Sequence, residues 1–434
     1  MAFFSRSALN PGVAPREVFG WAMYDFANSG FTTVVLTAVF NAYFVGAVAG
    51  NASWATLAWT LALAASSLLV MFTAPAIGAY ADAHGAKKRL LLLSTAGCVI
   101  GTAALAFAQP GTVAIAVVAV IAANYFYSVG ESLIAAFLPE ISKHDALGKV
   151  SGWGWSFGYF GGMLTLGLCL WVVIGSQAAG KPASEFVPLT MLVTAGVFAI
   201  AAIPTFVLLR ERSDPERAKL ERHGRTALER LRHTWNESSR FRDFRLLLAC
   251  GCAYQAGISV VIALAAVYAE QVMGFKQAQT MMLVFLVNIA SALGAFGFGY
   301  VQDRVGHKRA LAITLWGWIL MVALASLGTS VQVFWLAATV AGLCMGSSQS
   351  CGRAMVGSMT PPERLAEFYG LWGFATRLAA IIGPVTYGVV TFVTTGNHRL
   401  AIGVTGLFFV VALLILRTSD TARGVAARNP AAAG

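Results

Sequence analysis

The chain has 434 residues, of which 58% are hydrophobic and 11% charged, with a formal net charge of +11. So apolar a composition excludes an ordinary soluble domain. Anionic lipid headgroups account for the positive balance, and no nucleic-acid partner is implied.

Twelve apolar runs of about 20 residues or more are long enough to cross a hydrocarbon core of about 30 Å. They cover roughly 18–48, 54–81, 89–108, 112–137, 150–175, 187–209, 246–270, 277–301, 310–329, 331–358, 366–391 and 399–416. The opening Met-Ala-Phe-Phe-Ser-Arg is too weakly apolar for a cleaved signal peptide, so span 1 is expected to stay in place. Span 1 contains Trp21, Tyr24, Asp25, Asn28 and Ser29. On a helix Asp25, Asn28 and Ser29 share one face, with Trp21 a turn earlier. Glu131 lies in span 4. In span 5 Gly154, Gly158 and Gly162 recur every fourth residue, a flat stripe against which another helix can close. Gln255 lies in span 7, Gln349 and Arg353 in span 10, and Trp372 and Arg377 in span 11. The six cysteines (Cys98, Cys169, Cys250, Cys252, Cys344, Cys351) fall inside spans and read as packing residues. The histidines are expected in loops, so no metal site is predicted. There is no phosphate loop and no catalytic constellation, so neither an enzyme nor a cofactor is expected.

Between spans 2 and 3, residues 78–89 read G-A-Y-A-D-A-H-G-A-K-K-R. Between spans 8 and 9, residues 299–309 read G-Y-V-Q-D-R-V-G-H-K-R. Gly78, Asp82, Gly85 and Lys87 thus recur as Gly299, Asp303, Gly306 and Lys308, each 221 residues further on, about half the chain. Two like halves point to a transporter that rocks one half against the other. The expected organisation is 1–209 as one six-helix bundle, 210–245 as a linker and 246–434 as a second bundle with a short tail. Leu220, Leu228, Leu231 and Trp235 recur in the linker at roughly helical spacing, as in an amphipathic helix on the membrane surface. Of the 30 Lys and Arg, all but Lys181, Lys276, Arg377 and Arg399 lie in the termini and alternate loops. That asymmetry places both termini and the repeated loops in the cytoplasm.

Charged groups in hydrocarbon cost several kcal/mol, so survivors should face water or one another. At about 1.5 Å per residue, Asp25, Glu131 and Arg353 lie about 10–12 Å in from the cytoplasmic helix ends, and Arg377 about 16 Å. The acids belong to the first half and the bases to the second. Pairs between them would close the inner mouth and break as it opens. Alternatively, Arg377 anchors a substrate carboxylate with its planar fork. The ammonium of an amino acid would then meet Asp25, Asn28, Gln255, Gln349 or the aromatic faces of Tyr24 and Trp372. Asp25 and Glu131 are the candidate proton carriers.

The repeated spacing resembles the signature loop of the major facilitator superfamily. Trp21-x-x-Tyr24-Asp25-Phe26-Ala27-Asn28-Ser29 is similar to the opening of one branch of it. That branch holds the fungal vacuolar amino-acid effluxers linked to autophagy and many bacterial members. Phe137-Leu-Pro139-Glu140, Val150-Ser-Gly152-Trp-Gly154-Trp-Ser-Phe-Gly158-Tyr, Gly346-Ser-Ser-Gln349-Ser-Cys-Gly-Arg353 and Glu367-Phe-Tyr-Gly370 match too. Gln255 stands where bacterial relatives often carry an acid, and span 4 has Glu131 in the region where many proton-coupled members carry arginine. The resemblance implies an all-α fold of twelve transmembrane helices in two pseudo-symmetric bundles, with spans 3, 6, 9 and 12 facing lipid. Asp82 and Asp303 would face the N-terminal ends of spans 11 and 5 in the opposite half. Gly78 and Gly299 would allow close approach, and Gly85 and Gly306 would make the turns. Lys87, Lys88, Arg89, Lys308 and Arg309 would sit at the headgroups. The expected function is alternating-access transport of a small zwitterionic or amino-acid-like metabolite, as proton-coupled export, by a monomer in a bacterial inner membrane. A lipophilic organic compound or drug is the alternative cargo. A non-transporting sensor or scaffold is the alternative class.

Overall fold

The computed structural model describes residues 4–50, 52, 54–212, 241–275, 277–394 and 397–427. Twelve helices among them are long and apolar enough to span a membrane. They are α1 (Pro15–Val48), α2 (Ala55–His84), α3 (Lys87–Phe107), α4 (Val113–Ile141), α5 (Leu147–Ala178), α6 (Ala183–Leu208), α7 (Arg242–Met273), α8 (Gln277–Val305), α9 (His307–Leu327), α10 (Val331–Met359), α11 (Leu365–Val393) and α12 (His398–Thr418). A short α13 (Thr421–Ala427) follows. Most of the expected linker, 213–240 with Leu220 to Trp235, lies outside the described residues. Its last four positions belong to α7, which begins at Arg242 rather than at 246. His84, His307 and His398 are helix-terminal residues rather than loop residues.

Two sets of contacts repeat. In the first half α1 packs on α5 and α2 on α4; in the second, α7 packs on α11 and α8 on α10. The halves meet where α2 crosses α11 and α5 crosses α8, with α5–α10 and α4–α11 beside them. α3, α6, α9 and α12 pack mainly within their own halves and expose apolar side chains, among them Ile100, Ile200, Trp316 and Leu414. Large exposed apolar residues on a polytopic chain are lipid-facing surface. The chain is a multi-pass integral membrane protein.

The span 1 helix is not uniform. After Pro15–Gly30 the backbone widens into π-helical turns at Phe31–Ala38 and Phe44–Val48. The Thr32 and Thr33 hydroxyls both donate to the Ser29 carbonyl, at 3.0 and 2.9 Å, and Thr37 donates to Thr32 O at 3.0 Å. Such side-chain bonds compete with the helical ladder and bend it, and π-turns interrupt helices often at functional positions.

Candidate functional site

The glycine stripe on α5 lets α1 approach. A Cβ on Gly158 would lie 2.9 Å from Ser29 Oγ, and one on Gly162 would lie 2.8 Å from Thr33 Oγ1. One turn earlier, a Cβ on Gly154 would lie 2.6 Å from each of Asp25 Oδ2, Arg353 Nη2 and a ring carbon of Trp21. Gly154 therefore leaves the space in which two charges from opposite halves meet. Arg353 Nη1 donates to Asp25 Oδ2 at 2.6 Å. Its Nε donates to Ser151 Oγ at 3.1 Å and its Nη2 to Ser151 O at 2.8 Å. The guanidinium lies over the rings of Trp21 and Trp155, 4.7 and 5.3 Å from their centroids. Tyr369 of α11 donates to Arg353 O at 2.8 Å. Asp25 and Arg353 are both buried.

A second pair crosses the halves between α4 and α11. Arg377 Nη2 donates to Glu131 Oε2 at 3.4 Å, a long contact, and their side chains are 20% and 34% exposed. Arg377 Nε is buried with no partner among the described residues. Ser132 and Gly373, one residue and one turn away, set the helices close, since a Cβ on Gly373 would lie 2.8 Å from Ser132 Oγ. The pairs thus differ: one is sealed and fully bonded, the other open and incompletely bonded.

Gln255 Nε2 donates to Gln349 Oε1 at 2.6 Å, so these two meet within the second half. Trp372 is half-buried beside Tyr254, with ring centroids 6.3 Å apart. Asn28 is buried and its Nδ2 has no partner among the described residues, while Ser29 Oγ donates to Asp25 O at 2.7 Å. Tyr24, expected to offer its face to a ligand, does not. Its hydroxyl accepts from Thr95 Oγ1 at 3.2 Å and its ring packs on Phe198, inside the first half. One residue before Asp25 is about 100° round the helix, which turns Tyr24 to α3 and α6 and makes it a packing residue.

The repeated loops lie at the end of the bundle where α1 begins and α12 ends. Gly85 and Gly306 have φ of +57° and +88°, backbone that glycine adopts without strain. A Cβ on Gly78 would strike the Ala366 carbonyl, and one on Gly299 would lie 2.6 Å from Gly148 O. With the backbones so close, Asp82 Oδ2 accepts from Glu367 N at 3.0 Å. Asp303 accepts from Gly148 N and Lys149 N at 2.9 and 3.0 Å. Each aspartate therefore sits at the N-terminus of a helix in the other half, where the free N–H groups and the helix dipole favour an anion.

The lysines correct the headgroup expectation. Lys87 is buried, bonded to Glu140 and 3.5 Å from Asp82. Lys88 Nζ donates to Leu209 O at 2.6 Å, and Lys308 Nζ donates to Arg417 O and Ser419 O at the end of α12. The ammonium groups find protein acceptors at helix ends before they reach lipid. A network missed in the sequence extends from here. Glu211 accepts from Lys87 N and Lys88 N at 2.8 and 3.1 Å, Arg212 N donates to Glu140, and Arg212 Nη2 pairs with Glu17 at 2.7 Å. The only sequence signal was charge alternation near the loop, which reads as a solvated surface.

Replacing Asp82 or Asp303 by asparagine removes the negative charge that each helix end holds, a contribution of roughly 0.3–2 kcal/mol. In a cysteine-free background carrying Ser132→Cys, both variants should speed modification by a membrane-impermeant thiol reagent applied at the loop end. Unchanged rates in both would contradict a latching role.

Comparison with known proteins bears on the whole chain. The family described as vacuole effluxer Atg22 like matches residues 42–429. The uncharacterized MFS-type transporter YxiO of Bacillus subtilis is 25% identical over 411 residues, covering 91% of this chain and 93% of its own. Autophagy-related protein 22-1 of Aspergillus fumigatus is 25% identical over 300 residues, 64% of this chain and 48% of its own, so the match spans about half of the fungal protein. In fold, the chain is similar to the human organic anion transporter MFSD10 (TM-score 0.70, 16% identity), covering 93% of this chain and all of that one. It is also similar to the E. coli fucose:proton symporter FucP (TM-score 0.69, 14% identity), covering 93% and 97%. A bacterial homologue of ferroportin in an outward-facing state superposes with a TM-score of 0.68 at 13% identity, covering 93% and 98%.

Proposed function

The chain belongs to the vacuole effluxer Atg22 like family of MFS-type transporters, and from that premise we propose that it carries a zwitterionic, amino-acid-like metabolite by alternating access. The supporting observation is the Glu131–Arg377 pair: opposite charges from opposite halves, part-exposed, 3.4 Å apart and with Arg377 Nε unpartnered. A substrate carboxylate engages the Arg377 fork, and its ammonium group engages Glu131. One long ion pair is thereby exchanged for two charge-assisted contacts. The sealed Asp25–Arg353 pair is the gate of the loop end, and the two repeated loops dock the halves around it. The six helices α1–α6 and the six helices α7–α12, which begin at Arg242, move as two bodies.

The loop end faces the cytoplasm, in a bacterial inner membrane, a reading supported by the excess of basic residues in the loops at that end. A cysteine at Gly180 should react only with reagent added outside; reaction only from the inside would reverse this orientation.

A proton reaching Asp25 competes with Arg353 for the same carboxylate and releases the gate, which couples proton movement to opening. Asp25→Asn is expected to abolish accumulation driven by a pH gradient in proteoliposomes while sparing counterflow exchange. Gradient-driven accumulation by the variant would move the proton to Glu131 or to another ion.

The cargo reading is tested by thermal stabilisation of the purified protein, since a ligand of the folded state raises its apparent stability. Amino acids should raise the melting temperature, and their amide or N-acetyl analogues should not. Stabilisation by apolar amines or drugs, with none by amino acids, would favour the lipophilic cargo.

A further inference from the structure

We propose that the first half carries a preformed guanidinium cage, which Arg353 fills in the closed state and which takes an alkylguanidinium from solution when the halves part at the loop end. Every wall of the cage belongs to α1 or α5; only its occupant comes from α10. Trp21 and Trp155 supply two aromatic faces at 4.7 and 5.3 Å from the cation. Asp25 supplies the carboxylate, and Ser151 supplies a carbonyl and a hydroxyl oxygen. Gly154 leaves the space that a Cβ would fill.

The aromatic and carboxylate walls are held within the first half, whereas the Ser151 hydroxyl also donates to Ser350 O of α10 at 3.0 Å, a bond that withdrawal of the second half frees. Trp21 Nε1 donates to Ile134 O at 2.9 Å. The α1 backbone at Asp25 is held against α5 through Ser29 and Gly158. Withdrawal of the second half with Arg353 therefore removes the cation and leaves its receptor intact. Trp155 Nε1 is buried and has no partner among the described residues, which leaves one spare donor.

The geometry selects among cations. Three N–H groups of Arg353 point to three acceptors while its plane lies between rings, an arrangement that a compact ammonium cannot reproduce. Aromatic faces favour the flat, weakly hydrated cation. A solution guanidinium binds the cage only when Arg353 has left, so it shifts the population toward the state open at the loop end. This holds whatever the transported substrate is.

Ethylguanidinium at millimolar concentration is the probe, with ethylurea as the neutral isostere and ethylammonium as the compact cation. In the wild type, ethylguanidinium is expected to lengthen spin-label distances between His84→Cys and Arg304→Cys, and the two controls are not. In Arg353→Ala, whose cage lacks its tethered cation, the same probe should raise the melting temperature; Trp155→Ala should abolish both responses. Arg377→Ala should preserve them, which separates this site from the cargo site. Equal responses to ethylurea, or no lengthening in the wild type, would overturn the cage; the wild-type arm decides even if Arg353→Ala fails to fold.

Discussion

Arg377→Ala is expected to lose nearly all substrate binding. Bound substrate covers the Arg377–carboxylate pair, and truncating one member of such a buried charge pair typically costs 2–5 kcal/mol or more, about 30-fold to several thousand-fold in affinity. The same change leaves Glu131 facing the cavity without its counter-charge, so the loss has two sources. Arg377→Lys keeps the charge but not the planar fork and should fall between. Counterflow exchange of amino acids in proteoliposomes reads this directly. The rival role, a gate that never touches cargo, is separated by the double variant Arg377→Ala with Asp25→Asn. If substrate binding survives there, Arg377 is a gate partner and the anchor reading fails.

The second large effect comes from a single methyl group. Gly154→Ala places a Cβ 2.6 Å from Asp25 Oδ2, Arg353 Nη2 and Trp21. Alanine in a helix is intrinsically favoured over glycine by roughly 0.5–1 kcal/mol. Overpacking costs about 1–3 kcal/mol, and loosening a buried ion pair adds to it. The clash therefore wins: its contact with Arg353 exists only while that residue is home, whereas those with Asp25 and Trp21 lie within the first half. The variant should be depleted in the closed state by about tenfold or more while folding normally. The measurement is the rate at which a cysteine at the half-buried Ser132 reacts from the loop end. An unchanged rate would show that the pair does not hold the end shut.

Much of this architecture is legible because it is written twice. Gly78, Asp82 and Gly85 recur as Gly299, Asp303 and Gly306, and identical spacing on equivalent helices produces the same docking of an aspartate in the last turn of one helix on an opposing helix N-terminus. Depth was readable from helical rise, which places Asp25 and Arg353 at one level. Partner choice was not, because it depends on helix rotation: Tyr24 and Asp25 are neighbours in sequence and face different elements. The basic residues of the loops were hard to read for another reason. Positive charge near a membrane end suits lipid and protein equally, and only the fold shows that Lys87 reaches Glu140 and Lys308 reaches the end of α12. The widened turns of α1 follow from threonines whose hydroxyls bond backward, a choice that apolar run length does not record.

Alternating access is the central claim, and reciprocal opening tests it most directly. Two pairs of spin labels suffice: His84 with Arg304 across the loop end, and Gln177 with Val393 across the opposite end, all at exposed positions. Distances should be measured in lipid for the wild type and for Gly154→Ala. The expected result is that the variant lengthens the first distance and shortens the second, as two bodies rock about the central charge pairs. Lengthening at both ends, or a change at one end with none at the other, would contradict the account.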